Sequence, residues 1–281
     1  MTLLFALTRA LHFAGLMTVF GASALIYQAR EIAALDAKLR RTLFAASLVA
    51  LATAVLLLCF TAAQMSDGPL TVDDMLGVVT KSTFGHVFLV RFVLLACLCV
   101  LSLTGSAAVR TIVAGSALVT LAVTSHAAAS ALRPEMGMLA DALHLMTAGF
   151  WVGGLVVLVP VVLAKPRDNA RLIALLKLFS RWGVASVAVL IASGTLNAIL
   201  ILDMEMSWNR SYVTRLAIKI TVAAVMVVLA LSNKFNVLPG LEQGDREAAD
   251  TIPLTVLAEL GGAMAVLLIV GFLGTTAPMA M

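Results

Sequence analysis

The chain has 281 residues, of which 62% are hydrophobic and 12% charged, with a formal net charge of +4. A soluble domain carries about 25% charged residues, so this composition excludes a soluble protein and indicates an all-α polytopic membrane protein with most of its mass in the bilayer. The positive charge does not indicate a nucleic-acid partner, because Lys and Arg sit in short loops where they set topology against membrane lipid.

A spanning helix needs about 20 mostly apolar residues. Eight segments meet that length in chain order. The first, Leu3–Tyr27, carries Arg9 and His12; its apolar stretch is too long for the core of a cleavable signal. The second is Thr42–Ala63, followed by Gln64–Lys81, which reads as a loop with Asp67, Asp73 and Asp74. The third, Phe84–Thr104, has His86 at its start and Arg91, Cys97 and Cys99 within it. The fourth is Thr111–Ala131, with His126. The fifth, Met138–Leu163, holds Asp141, His144 and Trp151. The sixth and seventh are Trp182–Leu202 and Val213–Ser232, the latter carrying Lys219 just after Tyr212. The eighth, Ile252–Thr275, contains Glu259. Asp67-Gly68-Pro69, Arg133-Pro134, Lys165-Pro166 and Pro239-Gly240 punctuate the run as turns. The three cysteines lie in apolar segments and are odd in number, so no disulfide framework is expected.

Basic residues fix the expected orientation. Arg30, Lys38, Arg40 and Arg41 follow helix one; Arg110 follows helix three; Lys165, Arg167 and Arg171 follow helix five; Lys234 and Arg246 follow helix seven. The positive-inside rule makes these loops cytoplasmic, so both termini face the periplasm. All four histidines then fall in the outer half. Three Met-x-Met pairs, Met136/Met138, Met204/Met206 and Met279/Met281, fall on that same side. Thioether sulfur suits Cu(I) and imidazole holds copper in either oxidation state, which points to copper at one mouth of the bundle.

Charged groups inside a bilayer are costly and usually face the bundle interior. Asp141 and His144, three residues apart, share a helix face, so the carboxylate is placed to orient the imidazole for metal binding. Helix one reads Ala10-Leu11-His12 and helix five Ala142-Leu143-His144; Phe84 precedes Arg91 by seven residues, as Tyr212 precedes Lys219. Residues 1–281 therefore read as one integral membrane domain with an internal repeat, 1–134 and 138–281, as two tandem four-helix halves. No phosphate loop, nucleophile elbow or covalent-haem motif is present, so an enzyme is not expected.

Ser125-His126-Ala127-Ala128, Asp141-Ala142-Leu143-His144, Trp151-Val152-Gly153-Gly154, Phe179-Ser180-Arg181, Ser193-Gly194, Tyr212…Lys219, Asn233-Lys234-Phe235 and Glu259 follow one another in an order that resembles the copper resistance protein D (CopD/PcoD) family. Val213 and Lys234 depart from it, standing where Gly and Arg are usual. The resemblance implies copper transport across the bacterial inner membrane beside a periplasmic copper carrier of the CopC type. It carries His126, Asp141, His144, Tyr212, Lys219, Asn233 and Glu259 over as matched positions. The expected metal ligands are His126, His144, His86, His12, Met136, Met138, Met204 and Met206. Asp141, Arg91, Tyr212, Lys219, Asn233 and Glu259 are expected to support the metal or move protons. The four-helix halves also look similar to the HemJ-type protoporphyrinogen oxidase group, and the same histidines would serve as axial ligands of a b-type haem. A third alternative is a non-transporting partner that docks a copper chaperone.

Overall fold

A computed structural model describes residues 2–29, 33–66, 69–125, 133–202 and 210–275. His126, Met204, Met206, Met279 and Met281 lie outside the described residues. The regular elements are helical: α1 (Thr2–Gln28), α2 (Ala33–Met65), α3 (Val72–Lys81), α4 (Thr83–Thr104), α5 (Ala107–Val123), α6 (Pro134–Val162), α7 (Asn169–Leu202), α8 (Arg210–Ser232), a π-turn (Asn233–Val237), α9 (Leu238–Glu242) and α10 (Arg246–Leu273).

Among the described residues, seven helices are long and apolar enough to cross a membrane, with α8, the π-turn and α9 forming one span. The fourth expected span, Thr111–Ala131, has a shorter helix among the described residues. α5 has 17 residues, about 26 Å at 1.5 Å per residue, against a hydrocarbon core of about 30 Å. It begins at Ala107 rather than Thr111.

Two helices extend well beyond their expected starts. α2 begins at Ala33 instead of Thr42, and α7 at Asn169 instead of Trp182. Hydropathy stops at Lys38, Arg40, Arg171 and Lys177, but Lys, Arg, Ala and Leu are all good helix formers, so these helices run on past the apolar region. The expected loop Gln64–Lys81 contains α3. Thr71 caps it, its hydroxyl accepting from the Asp74 amide while the Asp74 carboxylate accepts from the Thr71 amide. The Thr71 hydroxyl, then its amide, hold the Asp74 carboxyl below the usual carboxylate range.

α1 runs through the middle of the molecule, packing on α2, α5, α6 and α10. In one group of four, α1 packs on α2, α2 on α4, α4 on α5 and α5 back on α1. In the other, α6 packs on α7 and α10, and α10 on α8, but α7 and α8 scarcely touch among the described residues. The groups meet along α1 and α6, which run parallel: Gly21 faces Gly149, and Ala22 faces Gly153. A Cβ on Gly21 would sit 2.0 Å from the Gly149 carbonyl oxygen, and one on Gly153 2.3 Å from the Ala22 nitrogen. Small residues spaced by four let helix backbones approach this closely, where dispersion contacts hold the pair.

Arg40, Arg110, Arg167 and Lys177 make ties at one end. Arg110, fully buried, pairs with Asp36 and donates to Ser23 Oγ at 3.3 Å and the Gly105 carbonyl at 2.6 Å, tying α5 to α1, α2 and the α4–α5 turn. Arg40 donates to the Leu103 carbonyl at 2.7 Å. In the second group Arg167 donates to the Ala249 carbonyl, and Lys177 pairs with Glu242. α1, α4, α6 and α8 begin at the opposite end, where α10 finishes, with Arg9 packed on Gly274.

Candidate functional site

Two histidines occupy matching places. His12 and His144 each stand ten residues into their helices, with Lys219 and Arg91 nine and eight residues into theirs. Each therefore lies about 12–15 Å along its helix from its first residue.

His12 is 1% exposed. Its Nδ1 lies 2.9 Å from the Ala50 carbonyl and 3.1 Å from Thr53 Oγ1. A carbonyl only accepts, so Nδ1 carries the proton and Nε2 presents a lone pair. That Nε2 is buried and has no hydrogen-bond partner among the described residues. His144 repeats the arrangement on the other group. Its Nδ1 lies 3.1 Å from Ser193 Oγ, and the Leu190 backbone is close enough to interact with the ring. The Ser193 hydroxyl donates to the Val189 carbonyl at 2.6 Å, so it accepts from the ring. In both places a histidine is held through Nδ1 by a hydroxyl of the next long helix. Each hydroxyl is itself bonded one helical turn back, Thr53 to the Val49 carbonyl at 2.6 Å. Fixing Nδ1–H on an oxygen leaves Nε2 as the metal-binding or proton-accepting atom.

Charged side chains surround this pair. Arg9 and Arg91 both act electrostatically on His12. Arg91, 4% exposed, donates to Thr120 Oγ1 at 2.8 Å, the Thr120 carbonyl at 2.7 Å and Thr124 Oγ1 at 3.2 Å. Asp141 accepts from Ser125 and lies in the field of Lys219 and Arg9; Lys219 also acts on His144. Helices α1, α4, α5, α6 and α8 thus contribute to one polar layer inside an otherwise apolar bundle.

Nearer the basic end lies a second polar group. Glu259 is 2% exposed. Its two oxygens accept from Asn233 Nδ2 at 2.7 Å and Trp151 Nε1 at 3.2 Å. Thr255 donates to Asn233 Oδ1 at 2.7 Å, which fixes which way the amide points. The π-turn begins at Asn233, and such turns recur at functional positions because the extra residue re-aims a side chain.

Several expected contacts are absent or different. Ser193, not Asp141, holds the His144 Nδ1. Glu259 bonds Trp151 and Asn233. His86 is exposed at the α3–α4 corner, its Nε2 3.1 Å from the Thr80 carbonyl. α6 starts at Pro134, so Met136 and Met138 are helical, and two residues apart they lie on different faces. Met136 Sδ accepts from Arg133 at 3.5 Å. Tyr212 is buried on α8. Among the described residues no three His, Cys, Asp or Glu side chains group as metal ligands. Sequence reasoning misses Thr53, Ser193 and Trp151 as polar partners; the repeated Ala-Leu-His of residues 10–12 and 142–144 is the signal that relates the two histidines.

The family described as "Copper resistance protein D-like, N-terminal domain" matches residues 1–133, and that described as "Copper resistance protein D" matches residues 173–273. The chain is 31% identical over 176 residues to "Copper resistance protein D" of Pseudomonas syringae pv. tomato, covering 58% of this chain and 57% of the relative. It is 33% identical over 138 residues to "Inner membrane protein YebZ" of Escherichia coli (strain K12), 49% of this chain and 48% of the relative. It is 33% identical over 111 residues to "Copper transport protein CutJ" of Bacillus subtilis (strain 168), 38% of this chain and 20% of the relative. The chain thus aligns with about half, or less, of the length of these relatives. No solved structure matches it. The apolar spans and these matches make it a multi-pass inner-membrane protein. With family matches on either side of α6 and identities that bridge it, the chain belongs to the copper resistance protein D family.

Proposed function

We propose that the protein carries copper across the inner membrane as substrate, without a resident catalytic cofactor. The observation that supports this most is the duplicated histidine arrangement, in which oxygen acceptors hold Nδ1–H of His12 and His144. Neutral imidazole nitrogen is a good copper donor in either oxidation state. The names of two relatives, a copper resistance protein and a copper transport protein, agree with this substrate.

In this proposal copper enters at the end where α1 and α6 begin, which is periplasmic by the positive-inside rule. His126 and the Met-x-Met pairs at 204/206 and 279/281 serve as entry ligands, with Met136, Met138 and His86 each contributing at most one donor at the rim. Copper passes to His144 and His12. The chain then forms eight spans in two tandem four-helix halves, residues 1–134 and 138–281, each supplying one histidine. A cation arriving beside the Lys219 ammonium displaces a proton, because adding a second charge to a buried layer is costly. Asp141 receives that proton or balances the arriving ion. A periplasmic carrier of the CopC type delivers the copper.

Uptake of radiolabelled copper by proteoliposomes containing the purified protein tests the proposal. Time-dependent uptake that is lost in the His12→Ala, His144→Ala double variant, with folded protein retained, is the expected result. Uptake equal to protein-free liposomes removes transport. A strong Soret band from the purified protein instead assigns the histidines to a b-type haem.

A further inference from the structure

The two helix groups differ where the second and third long helices of each should meet. α2 packs along α4, whereas α7 and α8 leave a cavity of about 150 Å³ between them. Apolar residues of α7 and α8, such as Val184, Val187 and Leu231, form its sides. Trp151, Asn233 and Glu259 line it from α6, the π-turn and α10, and Ser180 and Lys234 line it toward the basic end. A Cβ on Gly183, which also lines it, would meet nothing within 4 Å.

We propose that Glu259 is a proton-binding site that exchanges with the basic-end face of the membrane through this cavity. The proposal rests on the transport reading and adds the exit half to it.

Each carboxyl oxygen already accepts one hydrogen bond from a neutral donor. Neither donor supplies charge. An ionised carboxylate without a contacting cation is costly in a bilayer, so the group needs a positive partner that fits the remaining space. Copper is a poor candidate. A carboxylate oxygen is a hard donor, and the other lining side chains offer neither sulfur nor imidazole. A proton fits. On protonation a hydronium entering the cavity from the basic-end face gives up H⁺ and becomes water, the carboxylate oxygen forms the O–H bond, and both existing acceptances survive on remaining lone pairs. α6 and α7 place no titratable side chain in the lining; the π-turn places Lys234, whose Nζ lies 5.2 Å from the Phe235 ring centroid. Lys234 thus stands at the basic end of the route, and the volume admits several waters between it and the carboxyl.

Two measurements on the full chain in liposomes test this, one of them independent of copper. Dicyclohexylcarbodiimide, a lipophilic reagent for protonated carboxyl groups, is expected to label Glu259, with labelling lost as pH rises and lost when Gly183→Trp fills the cavity. Gly183→Ala is the folded control and should label normally. Copper-driven proton movement, read with an entrapped pH dye, is expected to disappear in Glu259→Gln while copper binding per protein is unchanged. Labelling that ignores pH, or proton movement preserved in Glu259→Gln, overturns the proposal, as does loss of bound copper in that variant. Failure of copper uptake by the wild type, with pH-dependent labelling intact, rejects the transport reading and leaves the proton site standing.

Discussion

In the α1–α2–α4–α5 group, α2 lies directly against α4, and Ser47 and Ser102 are hydrogen bonded across them at 3.0 Å. In the α6–α7–α8–α10 group the corresponding pair, α7 and α8, is separated by a cavity with a buried carboxyl at its inner wall. The histidine arrangement is nonetheless the same in both, Nδ1 on a hydroxyl of the next long helix. The polar layer therefore does not depend on closure between the second and third long helices. Closure varies independently, and a gap between two helices is where small rigid-body movements cost least contact.

The difference is expected to show most strongly at the basic end. Arg110→Ala leaves Asp36 without its partner and removes the tie between α1, α2 and α5. A loss of about 3–5 kcal/mol is expected on breaking such a buried pair. Arg167→Ala, at the same end of the open group, loses a charge-assisted bond to one carbonyl and should cost about 1.5 kcal/mol. Thermal unfolding in detergent ranks the two; equal losses would mean the groups are equally closed.

The seam between the groups comes next. Gly21→Val drives methyl groups into the Gly149 carbonyl, for a cost of about 3 kcal/mol by overpacking. A fall in melting temperature together with separate unfolding of the two groups, seen as two transitions, is the expected outcome.

Removing the histidine anchors gives a smaller effect. Thr53→Val and Ser193→Ala each delete one interhelical hydrogen bond, about 0.6 kcal/mol in a membrane bundle. His12 keeps the Ala50 carbonyl and His144 the Leu190 backbone, so the nitrogen NMR shifts of both rings should retain the same tautomer. A tautomer change in one variant alone would break the equivalence. Smallest of all, Gly183→Ala should alter stability by no more than about 0.5 kcal/mol, since it faces open space.

Much of the fold is legible in the sequence because a bilayer demands long apolar runs. Seven spans follow directly from Leu, Val and Ala content. The missed parts are those that apolar content does not encode. α3 is amphipathic and short, signalled only by Thr71 and Asp74 at capping distance. The polar starts of α2 and α7 are helical because propensity continues where hydropathy ends. In the site, spacing along one helix placed Asp141 beside His144, but the actual partner comes from α7, and sequence spacing does not say which helices are neighbours. The joining of Asn233 to Glu259 needs both the α8–α10 packing and a π-turn, neither visible as a periodicity. Met136 and Met138 read as a pair at the start of helix five, and they fall on different faces because the helix already begins at Pro134.

X-ray absorption at the copper edge of the copper-loaded protein tests the histidine site most directly. The expected spectrum shows imidazole scattering that weakens in His144→Ala and again in the double variant with His12→Ala. Imidazole scattering unchanged by both substitutions would contradict copper binding at this pair.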